Sequence, residues 1–309
     1  MDCKYYIAQD DHQVQCTACH KQCIIQNNTI GKCGSRLNKQ GKLVLPVSNY
    51  PAVTKMDVIT RYPLTHFLPN SKTMVVGTIG CNLSCEFCNS WEISQDRPAD
   101  LEDYLDLNFR RITPQQLVER AASNLAESIL FSINEPTIVA EYVIETVKLA
   151  KHPTINLKVG IHTNGTASEQ VTTDLALSVD FVIFDFKPID YDFELLLRNM
   201  KIFAAKTHLE INVSFLRELK FPFVELPRDV PLHLTQIKPD YRLNAEVIEP
   251  VGFSDLKQRL LEMKFQFVWD ESDNGIQVVN CQACGKQIAM KHCGVVELRH
   301  CCGQKTFGV

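Results

Sequence analysis

Short apolar runs alternate with amphipathic stretches along the middle of the chain. Thr73 to Ile79, Ser128 to Ile133, Leu157 to Ile161, Phe181 to Phe186 and Leu209 to Phe215 are the runs. Each is short and apolar, the pattern of strands covered on both faces in a parallel sheet. The stretches between them carry helical spacing. Thr113-Pro114-Gln115-Gln116 has an N-cap threonine, a proline at the first helical position and a glutamine placed to close a capping box. Leu117, Ala121 and Leu125 then form one stripe, and Val139, Val143, Val147 and Ala150 form another. Ala167 to Leu177 and Phe193 to Ala205 read as further helices. Strand–helix alternation of this kind predicts an α/β fold with a parallel sheet and crossover helices. The alternation falters after Phe215, where Pro222 and Pro227 interrupt residues 217–230 and predict a missing or stunted crossover helix.

With 309 residues, 45% hydrophobic and 22% charged, the chain has the balance of a globular protein with a sizeable core. A net charge of −4 argues against a nucleic-acid partner, and no apolar run reaches the ~18 residues of a membrane span. Met1 to Gln13 carries Asp2, Asp10 and Asp11 and lacks an apolar core, so no secretory leader is expected and the expected location is cytoplasmic.

Thirteen cysteines change this picture, because they cluster. In a cytoplasmic chain, clustered cysteines read as metal sites rather than disulfides. Cys16, Cys19, Cys23 and Cys33 form a compact head, with Gly31 and Gly34 beside Cys33 to permit sharp turns. Zinc and an auxiliary iron–sulfur cluster both suit four thiolates. Between Cys16 and Cys33 the large apolar residues are chiefly Ile24, Ile25 and Ile30. The head is therefore expected to fold only around its metal, and a metal bound by cysteines elsewhere in the chain is expected to survive the loss of this one.

The second group, Cys81, Cys85 and Cys88, follows the first apolar run in a loop opened by Gly80. Iron–sulfur clusters normally take four cysteines, so three leave one iron of a [4Fe–4S] cluster open to a small molecule. S-adenosylmethionine suits that position through its amino nitrogen and carboxylate, and Phe87 is placed to pack against cluster or adenine. Polar residues gather at the ends of the later strands: Asn134-Glu135-Pro136, His162-Thr163-Asn164-Gly165, Asp185-Phe186-Lys187, and His233 in Pro231-Leu232-His233-Leu234. Each group alone has an ordinary reading as a turn, a local ion pair or a structural histidine. Together they fall where an α/β barrel places its ligand, at the carboxyl ends of its strands.

The ordered motifs CTACHKQCIIQNNTIGKCGSRLNKQGKL, HFLPNSKTMVVGTIGCNLSCEFCNSWEISQ, SINEPTIVAEYV, HTNGT, FVIFDFKPID and VPLHLTQIKPDY resemble the radical SAM superfamily from about Cys16 to Pro239. More closely they resemble the radical SAM enzymes of the AmmeMemoRadiSam system, relatives of pyruvate formate-lyase activating enzymes. The resemblance implies a partial (β/α)6 TIM-type barrel over residues 71–245, with the cysteine-rich head and lead-in at 1–70. It implies that Cys81, Cys85 and Cys88 bind the [4Fe–4S] cluster and that Asn134, Glu135 and Pro136 form the motif holding the methionine amino group. Thr163, Asn164, Asp185 and Lys187 would then reach ribose and carboxylate, and His233 would occupy a further polar position. His20, Thr60 to Pro63, Ile237 and Lys238 depart from the family pattern. These departures lie on the substrate side, so the resemblance implies S-adenosylmethionine chemistry without naming a substrate.

Residues 246–309 read as a helix followed by a tail that resembles a zinc ribbon. Cys281 and Cys284 form its first knuckle, and Cys301 and Cys302 stand where a second would lie, with Arg299 in the place of its first cysteine. The resemblance also implies a reductant such as ferredoxin or flavodoxin and admits a protein substrate. A glycyl-radical activase and a non-catalytic metal-binding protein are the competing functional readings. S-adenosylmethionine binding separates the non-catalytic reading from the two enzymatic ones.

Overall fold

The computed structural model describes residues 1–95, 98, 100–190, 192–216, 221–243, 251–273, 275–281 and 284–299, without the side chains of 251 and 252. An eight-stranded sheet dominates, in simple sequential order. Its strands are β1 (Val53–Val58), β2 (Lys72–Gly77), β3 (Ser128–Phe131), β4 (Lys158–Thr163), β5 (Phe181–Phe186), β6 (His208–Phe215), β7 (Leu232–Gln236) and β8 (Val268–Asp270). β1 runs antiparallel to β2, and β2 through β8 are parallel. The sheet therefore takes one edge strand from the lead-in and the other from the segment beyond residue 245.

Crossover helices α1 (Pro114–Ser123), α2 (Ala140–Ala150), α3 (Glu169–Ala176) and α4 (Phe193–Ala204) link β2 to β6, and α5 (Val251–Glu262) precedes β8. The capping box at α1 forms in full: Gln116 N donates to Thr113 Oγ1 at 3.2 Å, and Thr113 N donates to Gln116 Oε1 at 2.9 Å. After β6, the described residues carry only the short 3-10 turn Phe223–Glu225, as the two prolines predict.

The two sheet faces differ by strand parity. Val159, Ile161, Val182, Phe184, Ile211 and Val213 join the helices in the main core. Their neighbours face the other way, where Leu130, Phe181 and Ile183 form a separate apolar cluster with Ile59 and Leu64. Gly160 lies on this second face because the Phe181 ring occupies its side-chain space: a Cβ there would stand 2.3 Å from the ring. A Gly160→Val variant is expected to lose about 3 kcal/mol of stability through this overpacking, read by urea unfolding.

The same face is plugged by the Thr65-His66-Phe67 segment, and Glu210 holds the plug. Its fully buried carboxylate accepts hydrogen bonds from Thr65 N (2.9 Å), Thr65 Oγ1 (3.1 Å) and His66 N (2.7 Å). It also meets His208 Nε2 at 2.9 Å and His233 Nε2 at 2.7 Å. His233 Nδ1 meets Glu271 at 2.7 Å, and Lys291 of the tail meets both Glu271 oxygens at 2.7 and 2.6 Å.

The tail is a three-stranded antiparallel sheet, Gln277–Asn280, Gln287–His292 and Val295–Leu298. Asn70 fastens it further, exchanging two hydrogen bonds with the Val296 backbone at 2.8 Å each. The head packs onto the sheet and its helices. Tyr5, Val14, Ile25, Leu43 and Leu45 share one continuous core with the sheet and its helices. Buried Arg36 pairs with Glu141 of α2, at 3.0 and 2.7 Å, and donates to the Ile138 carbonyl. Apolar residues flanking the cysteine segment supply the core that the segment itself lacks.

Candidate functional site

At the carboxyl ends of the parallel strands lies a cavity of about 620 Å³. Cys81, Cys85 and Cys88 line one side of it, together with Phe87. The loop is tightly turned: Leu83 N points at Cys81 Sγ (3.4 Å), Cys88 N donates to the Cys85 carbonyl (3.2 Å), and Cys88 Sγ lies 3.1 Å from Ser94 Oγ. Burial pushes the Cys81 thiol well above its ordinary range and the Cys85 thiol to about 11, with Lys187 opposing the shift at both. The three thiols stand together beside a cation, and thiols of this kind bind metal as thiolates, releasing protons in doing so. Among the described residues no group of three or more histidines, cysteines, aspartates or glutamates stands ready to hold a single metal ion.

The other walls come from successive strand ends. Asn134 closes the β2–β3 end, accepting from Thr78 N (2.9 Å) and donating to Thr78 Oγ1 (2.9 Å) and the Gly80 carbonyl (2.7 Å). Glu135, 2% exposed, accepts from Thr137 N (3.0 Å), Thr137 Oγ1 (2.7 Å), Thr163 Oγ1 (2.7 Å) and Asn164 N (2.8 Å). Its carboxylate therefore ties the end of β4 to that of β3. Pro136 stands behind this wall, opening the 3-10 turn Pro136–Val139. Asn164 reaches across to Asn82 in the cysteine loop, donating at 3.0 Å.

Asp185 is the electrostatic centre. One oxygen accepts from Asn212 Nδ2 (2.7 Å) and Ser214 Oγ (3.0 Å), both on β6. The other pairs with the Lys187 ammonium and lies 3.5 Å from His162 Nε2. Burial alone would raise the Asp185 carboxyl, but Lys187 and His162 hold it far below the carboxylate range. Burial alone would lower Lys187, but Asp185 and the cysteine pair Cys85 and Cys81 keep it charged. The result is a neutralised ion pair whose cationic end faces the thiols.

The structure thus brings Cys81, Cys85, Cys88, Phe87, Asn134, Glu135, Thr163, Asn164, Asp185 and Lys187 around one cavity. His233 is not in this group: it is fully buried in the network of Glu210 and Glu271. His162, named in the sequence reading only as part of a strand-end group, also lines the cavity, as do Asn212, Ser214 and Thr235, which that reading did not single out. Their signal was the polar alternation at 210, 212 and 214 within an otherwise apolar strand. Tyr62, Gln236, Ile237, Lys238 and Asp240 also line the cavity, and Tyr241 stacks on Trp91 at 5.1 Å.

In the head, Cys16, Cys19, Cys23 and Cys33 line one small cavity of about 20 Å³. In the tail, Cys281 is buried and Cys284 exposed, while Cys301 and Cys302 lie outside the described residues. None of the helices among the described residues is long and apolar enough to cross a membrane.

Residues 75–212 match the model of the Radical SAM superfamily. The chain is 28% identical to an uncharacterized protein of Methanocaldococcus jannaschii, over 91% of this chain and 88% of that one. Two crystal structures of SuiB from Streptococcus suis are also similar, each 14% identical over 62% of this chain. One, bound to S-adenosylmethionine, has a TM-score of 0.44 and is covered over 47% of its length. The other, bound to precursor peptide SuiA, has a TM-score of 0.40 and is covered over 46%. The match spans about half the length of SuiB.

Proposed function

We propose that this chain is an enzyme of the Radical SAM superfamily, whose model residues 75–212 match, and that it binds its cofactors in the strand-end cavity to start radical chemistry on a substrate. The observation that supports this most is the single cavity shared by the three loop cysteines and the Asp185–Lys187 pair. In this reading β2 to β7 and their connections form the partial (β/α)6 barrel. Cys81, Cys85 and Cys88 would hold a [4Fe–4S] cluster, which with S-adenosylmethionine and one electron from a ferredoxin or flavodoxin would supply methionine and a 5′-deoxyadenosyl radical for hydrogen abstraction from the substrate.

The chain's own residues orient and shield. Lys187, charged and facing the thiols, meets the anionic carboxylate of S-adenosylmethionine, and Asp185 keeps that ammonium aimed. Asn134 and Glu135 hold the ends of β3 and β4 in register, presenting Thr163 and Asn164 to the ribose side. Phe87 covers the cluster side against water.

Calorimetry with S-adenosylmethionine on the anaerobically reconstituted protein tests this assignment. Binding is expected, and Lys187→Met should weaken it roughly 30-fold or more, the effect of removing one partner of a buried charged contact. A loaded wild-type protein with no affinity for S-adenosylmethionine would refute the reading.

A further inference from the structure

The four head cysteines come from two knuckle-like turns. Cys16 N donates to the Cys23 carbonyl at 2.8 Å, and Gln22, in the left-handed region at φ 40°, returns to the Cys19 carbonyl at 3.1 Å. Gly34, also left-handed at φ 78°, closes on the Gly31 carbonyl at 2.9 Å. The turns face one cavity, whose lining among the described residues adds the charged side chains of Lys21 and Arg36, the latter paired with Glu141. Cys16, Cys19 and Cys33 are buried. Four thiols facing one cavity whose described lining holds no carboxylate suit a tetrathiolate centre.

The head cavity and the Cys81 loop share a wall. The Cys33 carbonyl accepts from Cys81 N at 3.0 Å, and Ser35 Oγ donates to the Ile79 carbonyl at 2.6 Å. Gly80 lies between them at φ 92°, where an added Cβ would stand 2.2 Å from the Cys33 oxygen. Asn82 lines the head cavity itself while donating to Thr166 Oγ1 at 2.9 Å and accepting from Asn164. Cys19 in turn bridges to Ala167, and His20 N donates to the Thr166 carbonyl at 3.0 Å. Head residues on either side of the cavity thus grip both the cysteine loop and the end of β4.

We propose that Cys16, Cys19, Cys23 and Cys33 hold a second metal centre, zinc or a [4Fe–4S] cluster, and that this centre fixes the seat of Cys81. The second half rests on the radical SAM reading of the Cys81 loop; the first half does not. In this proposal the loop cluster does not survive loss of the head metal unchanged, because Cys33 and Cys81 are joined through one backbone hydrogen bond.

The test is metal and sulfide analysis of full-length protein reconstituted anaerobically with iron, sulfide and zinc. A Cys81/Cys85/Cys88 triple-alanine variant should keep about one zinc, or instead about four iron and four sulfide per chain, and adding Cys23→Ser should remove them. Retained zinc assigns a zinc centre and retained iron and sulfide assign a cluster; neither retained overturns the proposal. Coupling is read in Cys23→Ser with the loop cysteines intact, which removes a head ligand and leaves the loop sequence unchanged. It should lose the head metal and also lose at least half of the loop-bound iron or show a shifted electron paramagnetic resonance spectrum. An unchanged loop-cluster spectrum and loop-bound iron content would overturn the coupling. Neither readout uses S-adenosylmethionine cleavage, so failure here and failure of the enzymatic reading are distinguishable.

Discussion

A Glu210→Leu variant is expected to be less stable than wild type by roughly 3–5 kcal/mol, lowering the melting temperature by roughly 10 °C. The carboxylate sits at zero exposure and receives Thr65 N, Thr65 Oγ1, His66 N, His208 and His233. Leucine fills the volume but leaves two backbone donors and an imidazolium buried without their acceptor, the situation that costs most. The loss propagates, since His233 also orients Glu271, and Glu271 anchors Lys291 of the tail.

The pH dependence follows in sign. Burial alone would raise Glu210 and Glu271, but hydrogen bonds from His208 and His233 hold Glu210 well below its ordinary 4.5, and His233 and Lys291 lower Glu271. Carboxylates lowered on folding contribute stability that is complete above about 4.5 and is lost as pH falls through the folded values. Burial alone would lower His233, but both glutamates raise it, so its contribution is complete below about 6.5 and is lost as pH rises through the raised value. Wild type should therefore lose stability in acid more steeply than Glu210→Leu. Urea unfolding from pH 3 to 8 checks both the gap and its slope; a difference under about 1 kcal/mol at pH 6 would contradict the plug.

Much of this architecture was legible because its signals are local. The apolar runs marked β2 through β6, and the prolines after Phe215 foretold that the described residues between β6 and β7 would carry no more than a short turn. The cysteine loop and the strand-end groups at 134, 163 and 185 pointed to one face, since strands of a parallel sheet all end on the same side. What was not legible depends on pairings distant in sequence. β1 (Val53–Val58) carries a lysine and an aspartate and reads weakly as a strand until Lys72–Gly77 pairs with it. Glu210 and Asn212 hid in a strand read by its apolar majority, although their period of two marks the inner face. His233 resembled a cofactor position, but its partners Glu210 and Glu271 stand 23 and 38 residues away and draw it into the plug network. The head's docking was hidden because Tyr5, Val14, Leu43 and Leu45 flank the cysteine segment rather than lie within it.

The second large effect is expected at Cys85. Removing residues that merely support a metal ligand typically costs 10–100-fold in metal affinity or activity, so loss of a ligand itself should exceed that range. Lys187 is the first influence opposing the burial-raised thiol of Cys85, one of the three proposed ligands. A Cys85→Ala protein should fold, because its backbone bonds to Cys88 N and its neighbours Leu83 and Phe87 are unchanged. It should lose about four iron per chain relative to wild type.

The central claim is that the strand-end cavity generates a radical from S-adenosylmethionine, and its most direct test is product formation. Wild-type protein, reconstituted and reduced anaerobically, is incubated with S-adenosylmethionine, and 5′-deoxyadenosine is quantified by chromatography beside Cys85→Ala. The account predicts 5′-deoxyadenosine from wild type at more than about 100 times the variant's yield. Equal amounts from the two proteins, or none from a wild type with its cluster in place, would contradict it.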